Sequence, residues 1–284
     1  LNNPKIDVNS KSVFKNEYGN YEIETALSIA IKKRNIEIIN MLLKMPNIDV
    51  NAEPKEGYDG DTSLNIAITN NYLEIIDLLL SMPNINVNSR SIYMNRYKYN
   101  TDSFSLYKKD IYQKSTTKTP LQLAIEKQDI QLIKRLLLFK NIDINFISSR
   151  YTNDENILNS RIENAPIHMA VESQNIEIIK LLLSNPSIDV NSKSYHYYNC
   201  MSFEYIKSYE KTALHIAIEL NNIDIIQLLL NHPKINVNDK IIYGTIYINN
   251  GGLGRFNIHK GIKEIKPTLI MAVEGKNEQI IHLL

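Results

Sequence analysis

The sequence predicts an all-α repeat solenoid: stacked helix pairs with long β-hairpin or loop insertions between repeats. Three observations carry that expectation. A string of the form Thr-Ala-Leu-Ser-Ile-Ala-Ile opens a unit at residues 25–31 and returns in variants at 62–68, 119–125, 165–171, 212–218 and 267–273. A second string closes the unit as "LLKMPNIDVN", "LLSMPNINVN", "LLSNPSIDVN" and "LLNHPKINVN", with "LLFKNIDIN" as a worn copy. The span from the Ala of the first string to the last Asn of the second is fixed at 21 residues, as from Ala30 to Asn51, Ala67 to Asn88, Ala124 to Asn145, Ala170 to Asn191 and Ala217 to Asn238. From one such Ala to the next, ending at Ala272, the span is 37, 57, 46, 47 or 55. A block held to one length by packing alternates with a connector of free length, which is the pattern of a repeat array.

The complete blocks are 25–51, 62–88, 119–145, 165–191 and 212–238, with partial ones at 1–9 and 267–284. Each reads as two short helices. In the first, Leu27, Ala30 and Ile31 share a face, and Thr25 is a suitable N-cap. Pro120 and Pro166 fall at the first helical position, where a missing N–H does no harm. The second, "NIEIINMLLK", puts Ile38, Ile39, Leu42 and Leu43 together. Glu37 in its first turn and Lys44 in its last suit the helix dipole. Pro46, Pro83, Pro186 and Pro233 then stop the chain from continuing as helix, Lys140 being the exception. Helices of about nine residues are marginal alone and need a neighbour against the apolar face. The opening "LNNPKIDVNS" reads as the tail of a unit, so residues 1–284 are expected to be one array cut from a longer one.

Thr-Pro-Leu-His-x-Ala opening a helix pair and Asp-Val-Asn closing it resemble the ankyrin repeat. Two departures are visible. Where the family usually turns between helices on Gly, this chain has Arg34, Asn71, Gln128, Gln174, Asn221 and Lys276. A left-handed backbone costs a non-Gly residue about 1 kcal/mol there. The turn after the second helix carries one extra residue, and Pro in place of Gly. The resemblance implies that His168 and His215 hydrogen-bond between neighbouring repeats. Ser28, Asn65, Gln122 and Ile270 fill that slot elsewhere, so no His chemistry depends on it. The closing Asn residues resemble those that asparaginyl hydroxylases modify in some ankyrin proteins, and structurally they brace the turn.

The connectors are 10–24, 52–61, 89–118, 146–164, 192–211 and 239–266, most far longer than the family's hairpin. "KIIYGTIYINNGGLGRFNIHK" (240–260) has the pattern of a long hairpin around Asn-Asn-Gly-Gly, whereas 146–164 is expected to be looser, without strands. All 17 Tyr except Tyr72 lie in connectors, as do all six Phe except Phe139. Such an excess fits a Tyr-rich contact surface, since Tyr gives large amphipathic area at low entropic cost. It equally fits cross-strand packing in hairpins. Residues 89–118 carry seven Lys or Arg against two Asp, residues 239–266 five against two acids, and residues 52–61 a net charge of −3.

No catalytic constellation emerges. Cys200 has His196 nearby but no third or fourth ligand in reach, so no metal site is expected. "GGLG" (251–254) lacks the Lys-Ser/Thr of a phosphate loop and reads as a hairpin tip. Glu37, Glu74, Glu177 and Asp224 recur once per repeat, a solvated face rather than an acid–base pair. A lone cysteine precludes an internal disulfide and fits a reducing, cytoplasmic home. No apolar run approaches a membrane span.

The functional expectation is a non-enzymatic scaffold that binds another protein through its concave face and extended hairpin loops, with no cofactor, metal, catalytic residue or small-molecule substrate. The family resemblance places contacts just after the small Ala, at Lys32, Lys33, Thr69, Asn70, Glu126, Lys127, Glu172, Ser173, Glu219 and Leu220. Hairpin tyrosines, among them Tyr97, Tyr99, Tyr107, Tyr197, Tyr243 and Tyr247, would extend that surface. An alternative is nucleic-acid binding through the basic Tyr/Lys-rich segments 89–118 and 239–266, against which the whole-chain charge of +1 argues. Another is a regulatory module of a larger enzyme or channel.

Overall fold

The computed structural model describes residues 6–16, 21–54, 58–95, 114–154, 157–199, 205–250 and 256–284. Two compact units divide the chain, residues 1–124 and 125–284. The first holds β1 (Lys11–Lys15), β2 (Tyr21–Thr25), α1 (Ala26–Lys32), α2 (Ile36–Leu43), α3 (Ser63–Thr69), α4 (Leu73–Leu80), β3 (Ser91–Asn95) and β4 (Lys114–Lys118). The boundary falls inside α5 (Pro120–Glu126). The second unit continues with α6 (Ile130–Leu136), β5 (Ser148–Asp154), β6 (Ile157–Asn164), α7 (Pro166–Glu172), α8 (Ile176–Leu183), β7 (Ser194–Asn199) and β8 (Tyr205–Lys211). It closes with α9 (Ala213–Glu219), α10 (Ile223–Leu230), β9 (Lys240–Asn250), β10 (Phe256–Pro267), α11 (Thr268–Glu274) and α12 (Glu278–Leu283).

Helices of six to eight residues survive here because each buries its apolar stripe against its own partner or a neighbouring pair. Thus α1 packs on α3 in the first unit, while α7 packs on α9, α9 on α11, α8 on α10 and α10 on α12 in the second. Leu27, Ile31, Ile133, Ile167 and Leu182 are wholly buried, each a gain of about 1.5–3 kcal/mol. The small Ala at the centre of each first helix (Ala30, Ala67, Ala124, Ala170, Ala217, Ala272) is buried too, where a longer side chain would hold the helices apart.

Between the helices of each pair, Arg34, Asn71, Gln128, Gln174, Asn221 and Lys276 all adopt φ of 53–56°, the left-handed conformation expected of those positions. The next residue but one starts the second helix, and Asn35, Asp129, Asn175, Asn222 and Asn277 cap it by accepting an N–H through the side-chain oxygen. The strained residues are not glycine for a visible reason. In the second unit the Nδ2 of Asn175 donates to Gln128 Oε1 at 3.3 Å, that of Asn222 to Gln174 Oε1 at 3.0 Å, and that of Asn277 to Asn221 Oδ1. In the first unit the Arg34 guanidinium stacks 5.4 Å from the Tyr72 ring centroid, joining the same two positions by other chemistry. The turn side chains of Arg34, Gln128, Gln174 and Asn221 therefore reach the cap position of the following repeat. Gln174→Gly is expected to be neutral within about 0.5 kcal/mol, as relief of backbone strain offsets the lost bridge. In an Asn222→Ser background, which keeps a cap but has no amide arm, the same change is expected to stabilise by about 1 kcal/mol in urea denaturation. Equal effects in both backgrounds would sink this account.

A second ladder runs along the closing turns. Asn9 Nδ2 donates to Asn47 O at 2.6 Å and Asn9 Oδ1 accepts from Asp49 N at 2.8 Å. Asn51 does the same to Asn84 O and Asn86 N, Asn145 to Ser187 O and Asp189 N, and Asn191 to Lys234 O and Asn236 N. The closing Asn braces the turn of the next repeat rather than its own.

The connectors form hairpins, and the hairpins join. In the second unit they make a six-stranded antiparallel sheet in the order β10-β9-β8-β7-β6-β5. Strand β6 meets β7 through Arg161↔Tyr197, Ile162↔His196 and Glu163↔Tyr195, and β8 meets β9 from Tyr205↔Tyr247 to Glu210↔Ile242. The expectation that 146–164 lacks strands is overturned: β5 and β6 occupy it, because pairing of β6 on both sides outweighs weak local preference. The hairpin expected at 240–260 exists and is longer, from Lys240 to Pro267. Its Asn249 and Asn250 lie in β9 opposite Asn257 and Phe256, and the glycines expected at its tip lie outside the described residues. In the first unit β1 pairs with β2 and β3 with β4. The short connector bridges them, Asp59 exchanging hydrogen bonds with Tyr21 and Ile23, and Gly60 with Ile92. A Cβ on Gly60 would lie 2.9 Å from the Pro54 side chain and 3.2 Å from Ile23 O, so the close approach demands glycine.

Candidate protein-interaction surface

In α1, α5, α7 and α9 the third residue is buried and carries an acceptor for the N–H of the residue that caps the helix; in α3 Asn65 instead donates its Nδ2 to Ser91 Oγ and Lys118 O, and in α11 the exposed Ile270 has no such group. Ser28 Oγ accepts from Thr25 N at 2.8 Å, Gln122 Oε1 from Thr119 N at 3.1 Å, His168 Nδ1 from Ala165 N at 3.1 Å and His215 Nδ1 from Thr212 N at 3.1 Å. With Nδ1 accepting, each imidazole carries its proton on Nε2. His168 Nε2 then donates to Ser192 O at 2.9 Å, and His215 Nε2 to Thr268 Oγ1 at 3.1 Å in the following repeat. Burial lowers both pKa values to about 4, against the pull of the backbone carbonyls and of Asp189 and Asp239. These rings are structural members and offer no acid–base group near neutrality.

In the second unit the first helices α7, α9 and α11 each end on a glutamate. Glu219, last in α9, pairs with Lys211 at the end of β8 (2.5 Å), and Glu274, last in α11, with Lys266 of β10 (2.9 Å). Glu172 accepts from Asn164 Nδ2 at 2.9 Å, and α1 inverts the polarity, Lys32 pairing with Glu24 at 2.6 Å. In all four the partners stand eight residues apart, across the joint from strand to helix. A carboxylate at a helix C-terminus opposes the helix dipole, and the strand lysine offsets that. Exposed pairs are worth about 0–1 kcal/mol, so they orient side chains more than they stabilise the fold.

Over this row the sheet of the second unit carries aromatics. Register brings His196, Tyr209 and Tyr243 side by side on β7, β8 and β9. The His196 and Tyr209 rings stack at 4.5 Å with Tyr209 Oη 3.0 Å from His196 Nδ1, and the Tyr243 ring lies 6.2 Å beyond. Lys211 Nζ sits 4.2 Å from the Tyr209 centroid and Lys266 Nζ 5.8 Å from that of Tyr243. In the corner between this row and the ends of α9 and α11 is an open cavity of about 400 Å³.

Of the residues expected to meet a partner, Lys32, Lys33, Thr69, Asn70, Glu126, Lys127, Ser173, Glu219 and Leu220 are exposed and Glu172 is half-buried. Asn70 and Ser173 bend back onto their own helices, to Ile66 O and Ala170 O. Tyr243 is brought against the Glu219 end of α9, at the cavity, whereas Tyr197 takes the opposite face of the sheet from His196. Tyr247 holds a place in β9 opposite Tyr205 and His259. Tyr97, Tyr99, Tyr107, Cys200 and the 251–254 glycine stretch lie outside the described residues. Reasoning from sequence missed Lys211 and Lys266. Among the described residues no cluster of His, Cys, Asp or Glu could hold a metal, and no helix is long and apolar enough to cross a membrane.

A family profile described as ankyrin repeats in three copies matches residues 5–91, 97–194 and 163–241. The chain belongs to the ankyrin repeat family. Among solved structures it is similar to the ankyrin repeat domain of Bcl-3, described as a unique member of the IkappaB protein family. Identity is 17%, the match covers 75% of this chain and 73% of that one, and the TM-score is 0.45. A search of curated proteins finds no match. Within the ankyrin pattern, His168 and His215 occupy the opening motif's His position and make the bonds described above. The ankyrin glycine between the helices is replaced throughout by residues whose φ remains left-handed.

Proposed function

We propose that this ankyrin array is a non-enzymatic scaffold that holds a partner protein against the ends of its first helices and its lengthened hairpins. Ankyrin repeats are generally protein–protein interaction modules. The observation that supports the reading here is the hairpin sheet, whose half-buried Tyr209 and Tyr243 stand beside the exposed carboxylates of Glu219 and Glu274. Aromatic side chains bordered by charge are the composition of a protein-binding patch. A reducing compartment such as the cytoplasm suits its single cysteine.

Shortening the 239–266 hairpin to a tight turn tests this. The helix pairs before it are expected to keep their thermal transition, while partners captured from a cell extract fall at least tenfold in quantitative mass spectrometry. Undiminished capture would show that the hairpins do not bind.

A further inference from the structure

The corner cavity of the second unit has a definite chemistry. Its floor is apolar, from Ile218 and Met271, and the Tyr243 ring forms one wall. Glu219 and Glu274 bring two carboxylates to it and Lys266 one ammonium, so its lining carries a net charge of −1. Each carboxylate binds its lysine through Oε2, Glu219 to Lys211 and Glu274 to Lys266, and among the described residues neither Oε1 has a hydrogen-bond partner.

The opening to the cavity depends on Gly275. The equivalent positions in the other repeats are Lys33, Asn70, Lys127, Ser173 and Leu220, all with side chains. The backbone does not require glycine here, since its φ is −69° and an added Cβ would meet only Met271 O at 3.4 Å and Ala272 O at 3.6 Å. Glycine at this one repeat leaves room.

We propose that the cavity receives an arginine side chain of the bound partner, an inference that rests on the scaffold function above. Its aliphatic stem lies on Ile218 and Met271, and its guanidinium stacks on Tyr243 while donating to the free Oε1 atoms of Glu219 and Glu274. Arginine fits better than lysine because its planar fork can stack and serve two carboxylates at once, and because it is the more weakly hydrated cation. Lys266, with its ammonium near the same ring and on the same Glu274, shows that a cation is accommodated there.

The test uses the whole chain with ¹³C-labelled Ile and Met methyls, titrated with acetyl-Gly-Arg-Gly-amide and with its citrulline counterpart, which has nearly the same shape without the charge. Saturable shifts at Ile218 and Met271 are expected with the arginine peptide, and binding at least tenfold weaker with citrulline. Glu219→Gln/Glu274→Gln should weaken the arginine peptide at least fivefold, and Gly275→Leu should abolish the response by filling the space. Unchanged methyl spectra elsewhere confirm that both variants fold. Absence of a saturable shift, equal binding of citrulline, or indifference to both variants overturns the proposal. Such failure leaves the scaffold reading standing if the intact chain still captures partners that the hairpin-shortened chain does not.

Discussion

Lowering the pH from about 7.5 to about 5 should remove about 4 kcal/mol of stability through His168 and His215. Both rings are neutral in the fold, with pKa values brought from 6.5 to about 4 by burial. The unfolded chain takes up these protons first. Their contribution is therefore complete above pH 6.5, declines as the pH falls, and is gone below about pH 4. At pH 5 the linkage gives about 2 kcal/mol for each ring. Protonation has a structural meaning too, for it would set an Nδ1–H against the N–H of Ala165 or Thr212, where the fold needs an acceptor. Carboxylates also titrate on the way down, so the comparison is with His168→Gln/His215→Gln. Glutamine is a tested occupant of the slot, since Gln122 is buried there and accepts the Thr119 N–H. Urea midpoints of the double variant should change far less with pH than those of the parent. Parallel curves for the two proteins would rule the histidines out.

In a chain of residues 1–284, replacing Leu214 by Ala should cost about 3 kcal/mol, whereas the same change at Leu269 should cost less than about 1 kcal/mol. The two leucines occupy one register position in successive first helices. Leu214 is 1% exposed and Leu269 is 50% exposed. The neighbouring Ile218 and Val273 differ in the same way, at 7% and 51%. Among the described residues, α11 of the next helix pair packs on the helix that carries Leu214, and no helix pair lies across Leu269. Truncation at Leu214 leaves a hole between two repeats that cannot collapse without disturbing the packing of α9 on α11 and the bond from Asn277 to Asn221. Urea denaturation of the two variants, with circular dichroism as the readout, gives the difference directly. Similar losses would mean that stacking contributes little to the burial of these helices.

Much of the architecture was legible in the residues. The small Ala at fixed distance from the closing Asn marked the blocks, because close helix approach tolerates nothing larger. The left-handed backbone of the non-Gly residues between helices followed from the family resemblance, which puts glycine at that position. What lay beyond reach was set by neighbours from other repeats. The bond from Asn222 to Gln174 crosses 48 positions, and no pattern within one repeat announces it. Strands β5 and β6 were missed because their sequence alternates weakly and β6 finds a partner in β7, contributed by the next connector. The acceptors at Ser28, Gln122 and His215 were missed for the opposite reason. Thr followed three residues later by a polar acceptor is the signature of a capping box, and was there to be read at Thr25, Thr119 and Thr212. The candidate contact positions could be located on the first helices, but not that Glu219 is held by Lys211, or that Gly275 opens a hollow beside it.

The joined hairpins of the second unit have a mechanical consequence. In a solenoid whose repeats touch only through helices, each repeat can tilt on its neighbour like a leaf in a spring. Here the β6–β7 and β8–β9 seams stitch neighbouring leaves along a second line, set apart from the first. Bending at these two joints must shear backbone hydrogen bonds as well as slide side chains, three residue pairs at one seam and six at the other. The stiffer joint is thus the one beneath the Tyr209–Tyr243 contact, which leaves the curvature there set before any partner arrives.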